Sequence, residues 1–315
     1  MQLQHLRYFV TVAGTRHFTR AAKLLHVAQP SLSQQIRVLE RELGSDLFDR
    51  TRGNITLTDA GTALLPLARQ LLADSETALR EVQEVAQLRR GRVRLGAPPS
   101  LCASLVPDVL RRFHDEFPAI ELVVDEGGSQ DVVHTLAAGE LDLALIITPL
   151  PGQEASALAT AELLREDLVV VSALESPPPV RRGRIHVTDL RDQPLVMFRR
   201  GYDLREFTTA ACRAAGFEPT FAVEGGEMDA VLGFVRAGLG FAVVPGMVAA
   251  RSGLRVTSFA EPGMQRTISV AHRKDVVPPR AARELQRVLF EHLRSADESA
   301  RLPPGTRLLL GPPCP

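Results

Sequence analysis

The chain has 315 residues, 45% of them hydrophobic, and a formal charge of zero. That length gives room for about two domains, or one small and one larger bilobed one. No apolar run approaches the ~20 residues that span a bilayer, so a membrane partner is not expected. Cys102, Cys212 and Cys314 are too few and too scattered for a disulfide framework, and without a CxxC pair or histidines at ligand spacing neither a metal site nor a cofactor is expected.

The start, MQLQHLRYF, lacks a basic stretch followed by an apolar one, so we expect no signal peptide and a cytoplasmic protein. Leu3, Leu6, Phe9, Val10 and Ala13 recur at helical spacing and predict a first helix over 2–14, ended by Gly14. Thr19 is a candidate N-cap for a short helix to His26 that buries Ala21, Ala22, Leu24 and Leu25. Val27, Ala28 and Gln29 lead into Pro30, which suits the first turn of a new helix. Helix, tight turn and helix over about 18–37 make a helix-turn-helix. In the second helix Leu32, Ile36, Leu39 and Leu43 fall on one face, with Pro30, Gln34, Arg37 and Arg41 opposite.

Amides, hydroxyls and guanidinium groups on the outer face match the chemistry of base edges and phosphates in a major groove. The candidate DNA contacts are Gln29, Pro30, Ser31, Ser33, Gln34 and Arg37. Periodicity alone fits an ordinary amphipathic hairpin equally well. Beyond Gly44, Leu47–Arg50 and Ile55–Thr58 flank Gly53-Asn54, a dipeptide suited to a two-residue hairpin. Such a wing would hold Arg50, Thr51 and Arg52 against the DNA backbone. Residues 1–58 carry eight Lys and Arg against four Asp and Glu, so this head is basic and the remainder acidic.

From Leu6 to Gly61 the sequence closely resembles the N-terminal winged helix-turn-helix of the LysR-type transcriptional regulators. The resemblance rests on Ala21-Ala22, the QPSLS of Gln29–Ser33, Leu39-Glu40, the LFDR of Leu47–Arg50, and Leu57-Thr58. It implies a cytoplasmic, non-enzymatic transcription regulator that binds an imperfect inverted repeat in double-stranded promoter DNA. It further implies a homotetramer built as a dimer of dimers, acting on RNA polymerase indirectly.

After the wing, Thr58 can cap a long linker helix over 59–90. Leu64, Leu67, Leu71, Ala78, Val82 and Val85 form a mostly heptad-like stripe interrupted by Asp74 and Glu81, which suits a short pairing with a second copy. A solvated linker helix is the alternative, and the family resemblance implies the dimer contact. Arg89 to Arg92 then marks a boundary.

Over 91–294 the fold class is α/β. Predicted elements are a strand at Val93–Ala97, a helix at Leu101–Phe117, a strand at Ile120–Val124, a helix at Val132–Ala138 and a strand at Leu141–Ile147. The pattern restarts with strands at Asp167–Ser172 and Leu195–Phe198, a helix at Leu204–Ala215, a strand at Phe221–Val223, a helix at Glu227–Ala237 and a strand at Gly240–Val244. Arg266–His272 and Pro279–Leu293 supply a last strand and helix. Two lobes, about 91–162 with 266–294 and about 163–265, resemble the type 2 periplasmic-binding-protein architecture of LysR-type effector domains. The proline-rich tail, 295–315, is expected to be disordered.

In such lobes ligands bind beyond the carboxyl ends of strands, near helix N-termini. The candidate effector residues at those positions are Ser100, Gly128, Ser129, Thr148, Arg199, Arg200 and Glu227. An arginine facing the cleft predicts an anionic effector such as a small carboxylate. HExxH, GxxxxGK[ST] and GxSxG motifs are all absent, so catalysis is not expected. The rivals are a solute-binding protein, which would need a signal peptide, and an enzyme with a DNA-binding head, which would need a catalytic cluster.

Overall fold

The structure is a computed structural model that describes residues 1–49, 55–86, 91–150, 154–180 and 183–310. It divides into two compact units, one of Met1–Leu88 with Ala137–Glu140 and one of the rest of the chain.

In the first unit α1 (Leu3–Thr15), α2 (Phe18–Leu24) and α3 (Gln29–Leu43) precede two paired strands, β1 (Phe48–Asp49) and β2 (Thr56–Leu57), and a long helix, α4 (Asp59–Ala86). Leu6, Phe9 and Val12 share one face of α1 and are buried with Ala21, Ala22, Leu32, Ile36 and Leu39. Phe48 joins that core, its ring centroid 5.3 Å from Phe9 and 5.9 Å from Phe18. Each leucine, isoleucine, valine or phenylalanine among them contributes roughly 1.5–3 kcal/mol when removed from water. The helices differ slightly from expectation at their ends: α1 passes Gly14 to Thr15, and α2 begins at Phe18 with His17, not Thr19, at its cap. Thr58 does cap α4, accepting the Gly61 N–H at 3.0 Å. The turn at Gly53-Asn54 lies outside the described residues, as do Arg50, Thr51, Arg52 and Cys314.

The second unit opens with β3 (Arg92–Ala97), α5 (Pro99–Cys102), α6 (Val106–Glu116), β4 (Glu121–Glu126), α7 (Ser129–Ala137) and β5 (Leu143–Thr148). β4 and β5 flank β3 in parallel, as strands alternating with helices require; β5 is buried, whereas β4 is an exposed edge strand rather than the buried one expected. The single helix expected over 101–117 is two. Pro107 has no N–H to offer the carbonyl one turn earlier, so the chain restarts there.

β6 (Leu158–Ser172) is more than twice the length of the expected strand and starts nine residues earlier. Nine of its first ten residues pair with β11 (Gln265–Arg273), from Leu158↔Arg273 to Asp167↔Gln265, with Leu163 skipped at a register shift. From Leu168 onward it pairs with β9 (Ala242–Pro245) and β10 (Arg255–Ser258) instead. Strand β6 therefore runs from one lobe into the other, and Leu168 N–H donates to Met264 O at 2.8 Å where the returning chain crosses beside it. The second lobe also holds β7 (Leu195–Met197) parallel to β8 (Phe221–Glu224), with α8 (Asp203–Ala214), α9 (Met228–Arg236) and α10 (Gly246–Ser252).

Helix α11 (Arg280–Glu298) returns to the first lobe, where Ala282, Leu285, Val288, Leu289 and Leu293 join its core. The tail corrects the expectation of disorder. Within 295–310, α11 continues to Glu298 and β12 (Thr306–Leu308) pairs with Glu166, Arg165 and Leu164 of β6. Strand β6 would otherwise offer an open edge there, and the tail satisfies its backbone groups.

Candidate functional site: a polar helix face and an inter-lobe cleft

Helix α3 sorts its residues by period. Leu32, Ile36 and Leu39 are fully buried, whereas Gln29, Pro30, Ser31, Gln34, Arg37 and Arg41 are exposed. Ser33 sits at the edge, its hydroxyl accepting from Gln29 Nε2 at 2.9 Å. Glu40 breaks the apolar pattern of the inner face, and its Oε1 accepts the Leu47 N–H at 3.1 Å, tying α3 to the start of the wing. His5 and Gln35, 2.9 Å apart, join α1 to α3. An open groove of about 1250 Å³ runs beside the exposed face, lined by Gln34, Arg37 and Arg41 on α3 and by Asp46, Asp49 and Thr58 on and around the wing. This is a rigid rod with a row of donors and acceptors on one side.

In the second unit, the structure brings Ser100, Gly128, Ser129, Arg199 and Glu227 to the place where the two lobes face each other. Ser129 Oγ donates to Asp203 Oδ2 across the cleft at 2.5 Å. A Cβ added at Gly128 would lie 3.3 Å from Gly201 O and 4.0 Å from Arg199, so the lobes approach closely here and glycine permits it. Arg199 donates to Glu227 and stands 4.0 Å from Asp131 of the opposite lobe. That bond to Glu227 holds the guanidinium pKa above its ordinary value.

Two expected residues do not join the cluster. Arg200 is 87% exposed and only 4.0 Å from Glu224, a solvated charge on the outer surface. Thr148 spends its hydroxyl on Ser269 of the neighbouring strand at 2.9 Å.

Sequence reading missed Tyr202, Asp203 and Arg266. Tyr202 stacks on Phe198 with ring centroids 4.6 Å apart and is buried, which pushes its hydroxyl well above the usual tyrosine range. Arg266 donates to Ser100 Oγ at 2.9 Å. The tyrosine and aspartate open α8 directly after Arg199-Arg200-Gly201, so the same strand-end rule could have found them. Arg266 lies 166 residues from its serine and left no local signal.

A helix-turn-helix head with a sorted polar face, followed by two lobes around a polar cleft, defines a DNA-binding regulator with a ligand-binding body. Comparison with known proteins agrees. A family model described as bacterial regulatory helix-turn-helix protein, lysR family, matches residues 3–62, and one for the LysR substrate binding domain matches residues 86–294. The transcriptional dual regulator GltC of Bacillus subtilis is 32% identical over 278 residues, covering 87% of this chain and 92% of that protein. The regulator BudR of Raoultella terrigena is 34% identical over 248 residues, 78% and 84% of the two chains. Among solved structures, a full-length OxyR variant from Pseudomonas aeruginosa superposes with a TM-score of 0.69 at 27% identity, covering 99% of each chain. Full-length CbnR complexed with its target DNA gives 0.66 at 26%, covering 94% of this chain and 100% of that one.

The chain belongs to the LysR family of transcriptional regulators, with a helix-turn-helix DNA-binding domain and an effector-binding domain. GltC and BudR are both named as transcriptional regulators.

Proposed function

We propose that this regulator reads promoter DNA with the outer face of α3, using Gln29, Pro30, Ser31, Ser33, Gln34 and Arg37 on base edges and nearby phosphates. Arg50, Thr51 and Arg52 grip the backbone beside it. The observation that carries this reading is the exposed polar row on α3 directly opposite its buried leucines and isoleucine. A similar protein, CbnR, has been solved with its target DNA.

Two copies pair through α4, where Leu67, Leu71 and Leu79 are 56%, 43% and 60% exposed in the single chain. Paired dimers form a tetramer that spans an inverted repeat, and a small-molecule effector held between the lobes biases their closure. The shift reaches RNA polymerase through the DNA. A gel-shift with the DNA upstream of the protein's own gene tests the reading. We expect a salt-sensitive complex of defined stoichiometry, and no complex at low salt would overturn it.

A further inference from the structure

Helix N-termini attract anions because their first N–H groups lack partners. Three helices begin at this cleft, and each already carries its own carboxylate in its first turn: Asp131 in α7, Asp203 in α8 and Asp229 in α9. Arg199 brings the positive charge to the cleft, and Glu227 and Asp131 answer it. Glu126 adds a further carboxyl, whose pKa is raised by burial and then by Glu227 and Asp229. The cleft thus carries a surplus of negative charge, and a simple carboxylate entering it meets repulsion, because Arg199 is already paired with Glu227 and Arg266 with Glu166.

A second observation points to what does fit. The Tyr202 side chain is only 2% exposed, and its hydroxyl, set beside Ser100 and facing Arg266 and Glu227, closes no well-formed hydrogen bond and keeps acceptor capacity to spare. Glu227 Oε2 is also buried and is unpartnered, its other oxygen being the one bound to Arg199. A carboxylate oxygen can only accept, and a phenolic oxygen can accept as well as donate. Together they ask for a group with several N–H donors and a positive charge.

We propose that the effector presents a protonated nitrogen, an ammonium or amidinium group, to the Glu227 carboxylate and the Tyr202 hydroxyl. This rests on the inter-lobe effector reading above and replaces the anionic effector expected from the arginines alone. The ligand is a cation or a zwitterion, with any carboxylate held away from Glu227.

Matched trios of compounds test it: alanine, ethylamine and propionate; leucine, 3-methylbutylamine and 4-methylpentanoate; phenylalanine, phenethylamine and 3-phenylpropionate. Thermal unfolding of the full-length protein across ligand concentration gives apparent affinities. In at least one trio the nitrogen-bearing members should bind at least ten-fold tighter than the plain carboxylate. Glu227→Gln should reverse that order, because it removes the anionic partner and frees Arg199 for a carboxylate. Tyr202→Phe, which keeps the ring stack, should weaken the amine several-fold without reversal. Carboxylates that bind as well as their amines, a preference that survives Glu227→Gln, or no shift with any compound would each overturn the proposal. The first of these leaves an inter-lobe effector standing. Gly128→Trp, whose side chain would wedge against Gly201 where the lobes meet, separates the two readings: stabilisation that persists in it places the ligand elsewhere and overturns both.

Discussion

Arg266 and Glu166 form a buried ion pair where the chain passes between the lobes. Nε and Nη2 of the arginine donate to Glu166 Oε1 at 2.8 and 2.6 Å, with side chains 1% and 0% exposed. The remaining atoms reach outward: Arg266 Nη1 to Ser100 Oγ at 2.9 Å, and Glu166 Oε2 from the Met247 N–H at 3.1 Å. The pair thus joins both crossing strands to a cleft residue on one side and to α10 on the other. Removing one partner strands the other as a buried charge, so Arg266→Met and Glu166→Leu should each cost about 3–5 kcal/mol in urea unfolding. The double variant should lose less than the two losses combined, while still leaving Ser100 and the Met247 N–H to find partners. Additive losses would show that the two charges do not depend on each other.

The tail clasps the same crossing. Asp167 N–H donates to Gly305 O, and Leu309 N–H to Leu163 O, both at 2.8 Å. Gly305 has φ +80°, and a Cβ there would lie 2.6 Å from Asp167 Oδ2, whose carboxylate is held by Gln265 through Oδ1 at 2.9 Å. Gly305→Ala should therefore destabilise the second unit by about 1–2 kcal/mol. Truncation after Ser299 should do so by more, since it exposes the β6 edge and the apolar surface that Leu308 and Leu310 cover. Urea midpoints equal to wild type would mean that the tail contributes nothing to this lobe.

What was legible in the sequence depended on whether one element could be read alone. Helix α3 showed its face through the 3.6-residue period of Leu32, Ile36 and Leu39, and β5 showed as an unbroken apolar run. The first half of β6 did not. Leu163 and Leu164 are both buried, opposite a register shift at Ile268/Ser269, so the alternation that marks a strand is broken there. The short strand β12 sits among prolines and glycine and is a strand only because the β6 edge receives it. In the cleft, the strand-end rule found Ser129 and Arg199. The charge balance it could not find, because Arg199 meets Glu227 across 28 residues and Ser129 meets Asp203 across 74.

Leu67 and Leu71, one turn apart on α4, are exposed, whereas Ala68 beside them is fully buried against the first unit's core. Replacing both leucines with Asp should leave that core intact and place charges in the proposed contact between copies. Sedimentation should then show a smaller assembly, and operator affinity should fall because two half-sites are no longer bound together. An unchanged assembly would locate the contact elsewhere.

Cys102 and Cys212 make poor oxidant sensors. Burial pushes the Cys102 thiol up to about 12, aided by Glu126, and the Cys212 thiol to about 11, aided by Glu218. The thiolate is the reactive form, and a raised pKa depletes it at every pH below that value. Near neutral pH the thiolate is therefore scarce at both sites. In a Cys314→Ser background, both native thiols should modify far more slowly with a disulfide reagent than in the unfolded chain, with a rate that climbs as pH rises toward 10. Fast, stoichiometric labelling at neutral pH would contradict this, as would peroxide-dependent operator binding in that background.

Gln34 and Arg52 should fail differently. Gln34 is exposed in the middle of the polar face of α3, where an amide can pair with both groups on an adenine edge. Gln34→Ala should cost about 1–3 kcal/mol on the preferred operator and little on a scrambled duplex, narrowing the gap between them. Arg52, assigned to the wing by sequence, supplies charge without sequence information. Arg52→Ala should weaken both duplexes alike and reduce the slope of log affinity against log salt by about 0.9 for each phosphate no longer neutralised. Anisotropy titrations of both variants on both duplexes across a salt series separate the roles. Were the two variants to lose affinity in parallel, with the same change in salt slope, the division between base reading by α3 and backbone grip by the wing would be wrong.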